Sequence, residues 1–549
     1  MIKTLHYLTN FKSSRFFVYL YFLIFLILGL FIFKDYGISI DEDNTRIVGL
    51  LSLEQLFKFF SFNNIFEITE LIKEDSLAHT RDNTSTSGTV FDLPMAYLEY
   101  LFKVTDSKNY FLLRHFFTFL VFFISTIYFY KIITNIYNSW LTGLLGTSFL
   151  IISPRIFGES FFNNKDIVFM SLFIIGIYYA IKFLHNKNIL SSVAFALVSA
   201  AVVNMRIMGV VLPFIIIFIN FIMILRSDEE KTKMFSRLII FLLMFPIFYF
   251  ILWPELWTDP IEVLSKTFSF MKSHFLNLNI FYLGKYYFFS EIPWHYHLVS
   301  IFVSTPLIYT FLFLIGFFLI IRRLIIRLIN IDENNSHKDL WRGEKEMLNF
   351  IFFTIFISVI LLAIDSGKIS YNGWRHLYFI YPCFILISLE GLFFLQSINL
   401  LKKRKNVFQL CIFLILLPTA FWMYVNHPYQ NLYFNFILKK NYNKYFEVDY
   451  WGLTNKEALE IILSQTDKVA NIYMQSTSDL NLSKRIMEEK DRNKINIVGK
   501  IKDADYIINH FYNWRNKDNW QKNEPPKAFK ILEEIKISDI SINSIYKRQ

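Results

Sequence analysis

The sequence has little that would place it among disulfide-stapled or metal-binding proteins. Its 549 residues include two cysteines, Cys383 and Cys411. Both fall inside long apolar runs, where a thiol acts as a small apolar filler, so neither a disulfide framework nor a thiol metal site is expected. There is no internal repeat, no low-complexity linker, and no motif as sharp as a phosphate-binding glycine loop. Charge is scarce: 18% of residues are Asp, Glu, Lys or Arg, and several long stretches have none. The formal net charge of +11 first suggests nucleic acid. The basic residues sit beside apolar runs, however, which membrane topology explains better, so no nucleic-acid partner is expected.

What the chain does have is apolar side chain. It is 54% hydrophobic and 19% aromatic, with 64 phenylalanines, more than soluble globular domains carry. A bilayer core takes roughly 20 apolar helical residues. Residues 16–33, 116–130, 132–154, 167–181, 188–205, 207–225, 238–254, 298–321, 347–364, 377–401 and 406–425 qualify by length or flanks, with Glu390 the exception inside them. That predicts an all-α polytopic membrane protein of about 11 spans. The first run follows Lys3, Lys12 and Arg15 and lacks a small-residue cleavage site, so it reads as a retained span.

Basic loops set the direction. With a cytoplasmic N-terminus, loops 226–237, 322–346 and 402–405 are cytoplasmic too, and all three are basic, including Arg322, Arg323, Lys338, Lys402 and Lys403. Loops 35–110, 155–166, 255–297 and 365–375 and the tail then lie on the far side. The expected organisation is a transmembrane domain over residues 1–425, whose first far-side loop is 35–110, and an extracytoplasmic domain over 426–549. The tail shows strand-like runs at 469–474, 495–498 and 506–508 and a helix-like run at 455–463, so it reads as a small α/β domain. Apolar pieces at 47–60 and 91–102 suit the membrane interface. The protein is expected in the inner (plasma) membrane as a multi-pass chain.

The unusual chemistry falls on the far side. Asp41, Glu42 and Asp43 are adjacent carboxylates just past the first span, where like-charge repulsion raises each pKa and equips one as a general base; an ordinary solvated acidic turn reads the same way. Arg155, Lys165 and Asp166 bound a short segment between two spans, where cations suit a phosphate headgroup or merely snorkel. Arg206 separates two long uncharged runs, a costly position unless it is paired with a headgroup or a carboxylate. His295 and His297 are two apart and do not share a helix face, so a hydrogen-bonding or phosphate-binding role is favoured over a metal. Arg375 and His376 stand where a far-side loop re-enters the membrane. Asp449 and its aromatic neighbours open the tail, either shaping a groove or docking the tail.

The chain resembles the GT-C glycosyltransferase superfamily, near its bacterial protein O-mannosyltransferases and aminoarabinose transferases. The resemblance rests on Asp41-Glu42 after the first span, the Arg155–Asp166 segment, Arg375-His376 at a late span, and the far-side C-terminal domain. It implies transfer of a sugar from a polyprenyl-phosphate donor to a lipid, glycan or protein acceptor at the far face, with inversion. Asp41 would be the base and Glu42 its neighbour; Arg155, Lys165, Asp166, Arg206, His295, His297, Arg375 and His376 would contact substrate. No cofactor is implied. A transporter or lipid flippase of cell-envelope glycans is the alternative, but it calls for mid-span ionisable groups and repeated halves. The orientation predicts that, in a chain cleared of Cys383 and Cys411, a cysteine placed at Asn83 or Asn509 reacts with an impermeant probe in intact cells and one at Lys403 does not. Labelling at Lys403 alone would reverse the topology.

Overall fold

The apolar runs fold into helices that stop where a cap residue or a proline stops them. The computed structural model describes residues 2–61, 88–185, 188–226, 231–273, 279–329, 340–366, 371–398, 404–438, 442–476, 478–510 and 525–549. Asn83, Lys338, Lys402 and Lys403 lie outside these. In chain order the helices are α1 Ile2–Ile32, α2 Glu42–Phe59, α3 Asp92–Leu101, α4 Ser107–Tyr137, α5 Trp140–Ile151, α6 Pro154–Phe162, α7 Asp166–His185, α8 Ile189–Met205, α9 Val211–Arg226, α10 Lys231–Ile251, α11 Pro260–Ser273, α12 Tyr296–Ser304, α13 Leu307–Ile329, α14 Gly343–Ser366, α15 Tyr381–Ser397, α16 Lys405–Val425, α17 Thr454–Ser464, α18 Leu480–Lys484 and α19 Glu489–Arg492.

Among the described residues, eight helices are long and apolar enough to cross a membrane, or nine when the bent pair α5–α6 counts as one span. The 17-residue α8 and the 23-residue α13 fall on two more of the eleven apolar runs read from the sequence but are not among those spans. Two boundaries differ from the expectation. The charge at Lys131 does not end a span: α4 continues to Tyr137, and Asn138 turns the chain in the left-handed region (φ 50). Ser139 then caps α5 by accepting from the Thr142 N–H. Lys131 stays inside the helix with its ammonium 5.0 Å from the Tyr128 ring. The run 298–321 is broken at Thr305-Pro306, because proline cannot supply the helical N–H, so the span begins at Leu307. Glu390 is not a lone mid-span charge. It pairs with Arg323 and, at 2.9 Å, with Lys345, on the face where the basic loops lie.

Close approach of α13 and α15 needs glycine on both sides. A Cβ on Gly316 would fall 2.0 Å from the Ile387 carbonyl oxygen, and one on Gly391 would fall 2.1 Å from that of Leu312. At the opposite face, α2 and α3 pack together beside α4. A buried ion network joins them: Glu99 accepts from Arg46 Nε and from Arg114 Nε, each at 2.8 Å, and Arg114 also reaches Asp92 at 3.2 Å.

The tail forms a five-stranded sheet from β3 Ala470–Met474, β4 Ile495–Ile497, β5 Tyr506–Asn509, β6 Phe529–Ile537 and β7 Ile540–Arg548; a separate hairpin, β1 Asn279–Tyr282 with β2 Lys285–Phe288, lies between α11 and α12. The sheet order is β4-β3-β5-β7-β6, with β3 parallel to β4 and β5 and the last two pairings antiparallel. With α17 it makes the α/β domain expected, and the β6–β7 hairpin is an addition that the sequence reading missed.

Glu99→Ala leaves two buried guanidiniums short of their anion, which typically costs 3–5 kcal/mol. The detergent-solubilised variant should melt well below the parent, and an unchanged melting curve would show that the network carries no stability.

A cation-rich candidate site at one membrane face

Four chain corners converge at the face opposite the basic loops. At the α6–α7 corner, Asn163 Oδ1 accepts from the Asp166 N–H at 2.8 Å and so starts α7, leaving Lys165 just before it. At the α8–α9 corner, Arg206 is extended (φ −152, ψ 133) and ends α8. Arg375 and His376 open the short 3-10 helix Arg375–Ile380 that leads into α15. Asp41 is the N-cap residue of α2.

Asp166 is the hub. One carboxylate oxygen accepts from Arg206 and lies 4.0 Å from His376 Nδ1; the other accepts from Asn163 at 3.1 Å and lies 3.6 Å from Arg375 Nη1. That same Nη1 donates to Asp41 Oδ2 at 2.5 Å. Asp166 is buried, whereas the Asp41 side chain keeps 33% exposure and can be reached from outside. Arg206 Nη1 donates to His376 Nδ1 at 3.3 Å, which places the ring proton of a neutral imidazole on Nε2. That Nε2, Arg375 Nε and Arg206 Nε are buried without a hydrogen-bond partner. Lys165, half-buried, has no ion pair within 4 Å among the described residues, although Asp41, Asp166 and Asp92 all act on it.

The electrostatics follow. Burial disfavours the Asp41 charge, but Arg375, Lys165 and Arg206 outweigh it and hold the carboxyl below its usual range. Burial and the neighbouring Arg206 guanidinium push the Lys165 ammonium down. Burial raises Asp92 to about 6 against the pull of Arg114 and Lys165.

This corrects the expected acidic cluster. The three carboxylates do not face one another, because successive residues entering a helix diverge by about 100°. Asp41 meets Arg375. Glu42 turns inward, fully buried, accepting from the Ser39 N–H at 2.6 Å and pairing with His115 at 2.9 Å, away from the centre. Asp43 meets Arg485 of the tail at 2.7 Å. Asp166 is likewise enclosed by protein cations and serves as their counter-charge. His295 is spent on the Tyr282 hydroxyl at 2.6 Å and stands outside the cluster, while His297 is buried close enough to act on His376. Arg155 faces a neighbouring group: it donates to the Tyr450 hydroxyl at 3.4 Å beside Glu159, which accepts from Tyr378 at 2.7 Å.

The sequence reading missed the tail's share. Trp451 lies over the Arg375 guanidinium at 4.6 Å, with Tyr371 at 5.1 Å. Asp449 is not a groove residue: it is fully buried, caps α17 through the Leu453 and Thr454 N–H groups, and accepts from His510. The FEVDYWG run was a signal for the Trp451 contact, since aromatics next to a late far-side arginine are stacking partners. Among the described residues no group of three or more His, Cys, Asp or Glu is arranged to hold a metal ion.

Fold and site together describe a polytopic helical membrane protein with a half-buried cationic centre at one face, roofed by its C-terminal domain. No protein-family model and no curated protein matches the chain. Among solved structures it is similar to ArnT from Cupriavidus metallidurans in the apo state, at 9% identity and TM-score 0.48 over 97% of this chain and 98% of that one. It is also similar to ArnT from the same organism bound to undecaprenyl phosphate, at 9% identity and TM-score 0.42 over 96% and 97%.

Proposed function

We propose that this chain is a GT-C glycosyltransferase that moves a sugar from a polyprenyl-phosphate donor to an acceptor at the extracytoplasmic face. One observation carries the reading. Lys165, Arg206, Arg375 and His376 surround a half-buried carboxylate at the end of membrane-spanning helices, and they keep an unpaired ammonium and three unpartnered N–H groups. That is the donor set of an anion receptor at headgroup depth, and a lipid-linked phosphate meets it without leaving the membrane.

The roles follow from charge. Asp41 takes the proton of the acceptor hydroxyl as its oxygen attacks the anomeric carbon. The bond from that carbon to the phosphate oxygen breaks, and the electron pair leaves with the prenyl phosphate. Lys165, Arg206 and Arg375 stabilise the leaving charge, and the configuration at carbon inverts. In the resting centre Arg375 occupies Asp41. A donor phosphate competes for that guanidinium and neutralises the cations that depress Asp41, so the base strengthens when donor is present. The direct test is purified protein with radiolabelled polyprenyl-phosphate sugars and membrane extract; label that stays on the donor pool under all conditions removes the reading.

Two outcomes are expected beyond activity itself. Arg375→Ala should weaken binding of undecaprenyl phosphate by about 1.5–3 kcal/mol, while Asp41→Asn should bind it normally and lose about 10²–10⁴-fold in kcat. Normal turnover by Asp41→Asn places the base elsewhere. The acid limb of kcat/KM reports Asp41 in the free protein and that of kcat reports it with donor bound. Since the free carboxyl is held low by cations that the phosphate neutralises, the kcat limb should lie at higher pH. Coincident limbs would exclude the hand-over of Arg375.

A further inference from the structure

A cleft of about 550 Å³ lies between the tail and the far-face ends of α1 and α4. Ligand sites run from about 300 to 1,000 Å³. The cleft shares no lining residue with the Asp166 centre. Its membrane side carries Lys34 and Asp35, just past α1, and Lys108, in the first turn of α4; both helices are long and apolar enough to span. Its tail side carries Lys456 and Glu460 of α17, with Glu488 and Asp491 at the start of α19. Most of these charges are already matched. Lys108 pairs with Glu488, and Asp35 pairs with His427 at 2.9 Å. The Lys456 ammonium donates to the carbonyls of Lys34 and Asp35 at 3.1 and 2.8 Å. Three side chains remain without a hydrogen bond or ion pair among the described residues: the exposed Lys34 on the membrane side, and Glu460 and Asp491 on the tail side. Burial raises the Glu460 carboxyl; Lys456 opposes the shift, and Glu457, Asp35 and Asp491 add to it. Like charges left together on one wall call for a cation. The described carboxylates are not grouped to hold a metal ion, which leaves an ammonium.

The complement of these leftover charges is a zwitterion of fixed order, with its anion at the membrane surface and its ammonium further out. We propose that the cleft binds a far-leaflet phospholipid with a primary-amine headgroup, a phosphatidylethanolamine, its phosphate at Lys34 and its ammonium between Glu460 and Asp491. Leu112, Leu463 and Met487 supply an apolar wall for the glycerol end. The amine is primary for a physical reason. A quaternary ammonium donates no hydrogen bond and is recognised by aromatic faces, and no aromatic side chain lines the cleft. A lipid held in this way ties α17 to the ends of α1 and α4, and so fastens the tail to the spans. The proposal is independent of the transferase reading and stands whether or not a sugar is transferred.

The experiment titrates the full-length protein in detergent with phosphatidylethanolamine, phosphatidylcholine and phosphatidylglycerol of identical acyl chains, and reads bound lipid by native mass spectrometry. The parent should prefer phosphatidylethanolamine over both others by about tenfold. The double substitution Glu460→Gln with Asp491→Asn should abolish that preference and leave the other two lipids unchanged. Lys34→Ala should weaken phosphatidylethanolamine as well. Glu533→Gln, which neutralises an exposed carboxylate on β6, should alter nothing. Equal affinity for the three lipids, a preference that survives the double substitution, or an equal loss in Glu533→Gln overturns the site. Free phosphoethanolamine should compete only weakly; competition as strong as that of the lipid would make the occupant a soluble amine and overturn the lipid assignment. If the double variant does not fold, a phosphatidylethanolamine with a diazirine near its glycerol decides on the parent. Labelling at Leu112, Leu463 or Met487 supports the site, and labelling only elsewhere removes it.

Discussion

The far-face centre depends on one carboxylate, Asp166. Arg206 comes from one stretch of chain and Arg375 with His376 from another, and all three meet within hydrogen-bonding or ion-pairing reach of it. Packed together at a membrane edge, the two guanidiniums repel and each forfeits hydration; a buried charge persists only when paired. Asp166 supplies the pairing from the first turn of α7, where a negative charge also favours the helix dipole. Because both of its oxygens are engaged, the cations are fixed in direction and their remaining N–H groups are left over. The same logic holds α2 and α3 in place through Glu99, but there the chelated guanidiniums bind no exposed carboxylate and the network is structural.

The C-terminal domain is part of this centre. The stretch from Phe446 to Trp451 sends Glu447 and Tyr450 to a cavity beside Arg155 and lays Trp451 on Arg375. Docking contacts brace it around the rim: Arg485 with Asp43, Arg492 with Asp106, and His427 with Asp35 at 2.9 Å. Gly37 lets the α1–α2 connection approach the tail backbone, since a Cβ there would lie 2.9 Å from the Leu453 carbonyl oxygen. Preorganised donors of this kind cost no rearrangement when charge develops on a leaving group, which is where most electrostatic rate enhancement originates. The tail thus couples the orientation of Arg375 to the same segment that shapes the neighbouring cavity.

Spans were legible in the sequence because hydrocarbon imposes a length and forbids unpaired charge. Arg206 stood out for that reason, and the structure gives it Asp166 as its carboxylate. The tail strands were legible through short β-rich runs, and β3, β4 and β5 fall on them within a residue or two. The breaks at Asn138 and Pro306 were written in cap and proline chemistry and were overridden by attention to charge. The roles of Glu42, His295, Asp166 and Trp451 were not legible, because each depends on a partner far away in the chain or on which way a helix turns its side chains.

The sequence by itself determined that this is a polytopic membrane protein, that Arg155, Lys165, Arg206 and Arg375 stand at span ends opposite the basic loops, and that Asp41 follows the first span on that same side. Those properties follow from local composition and from the bilayer acting on each segment separately. Tertiary structure alone decided which carboxylate is paired away and which stays exposed, which cations keep free donors, and that the tail closes over them. Such choices are made by distances of a few ångströms between residues hundreds of positions apart, as Asp41 and Arg375 are, and only packing of the whole chain sets those distances.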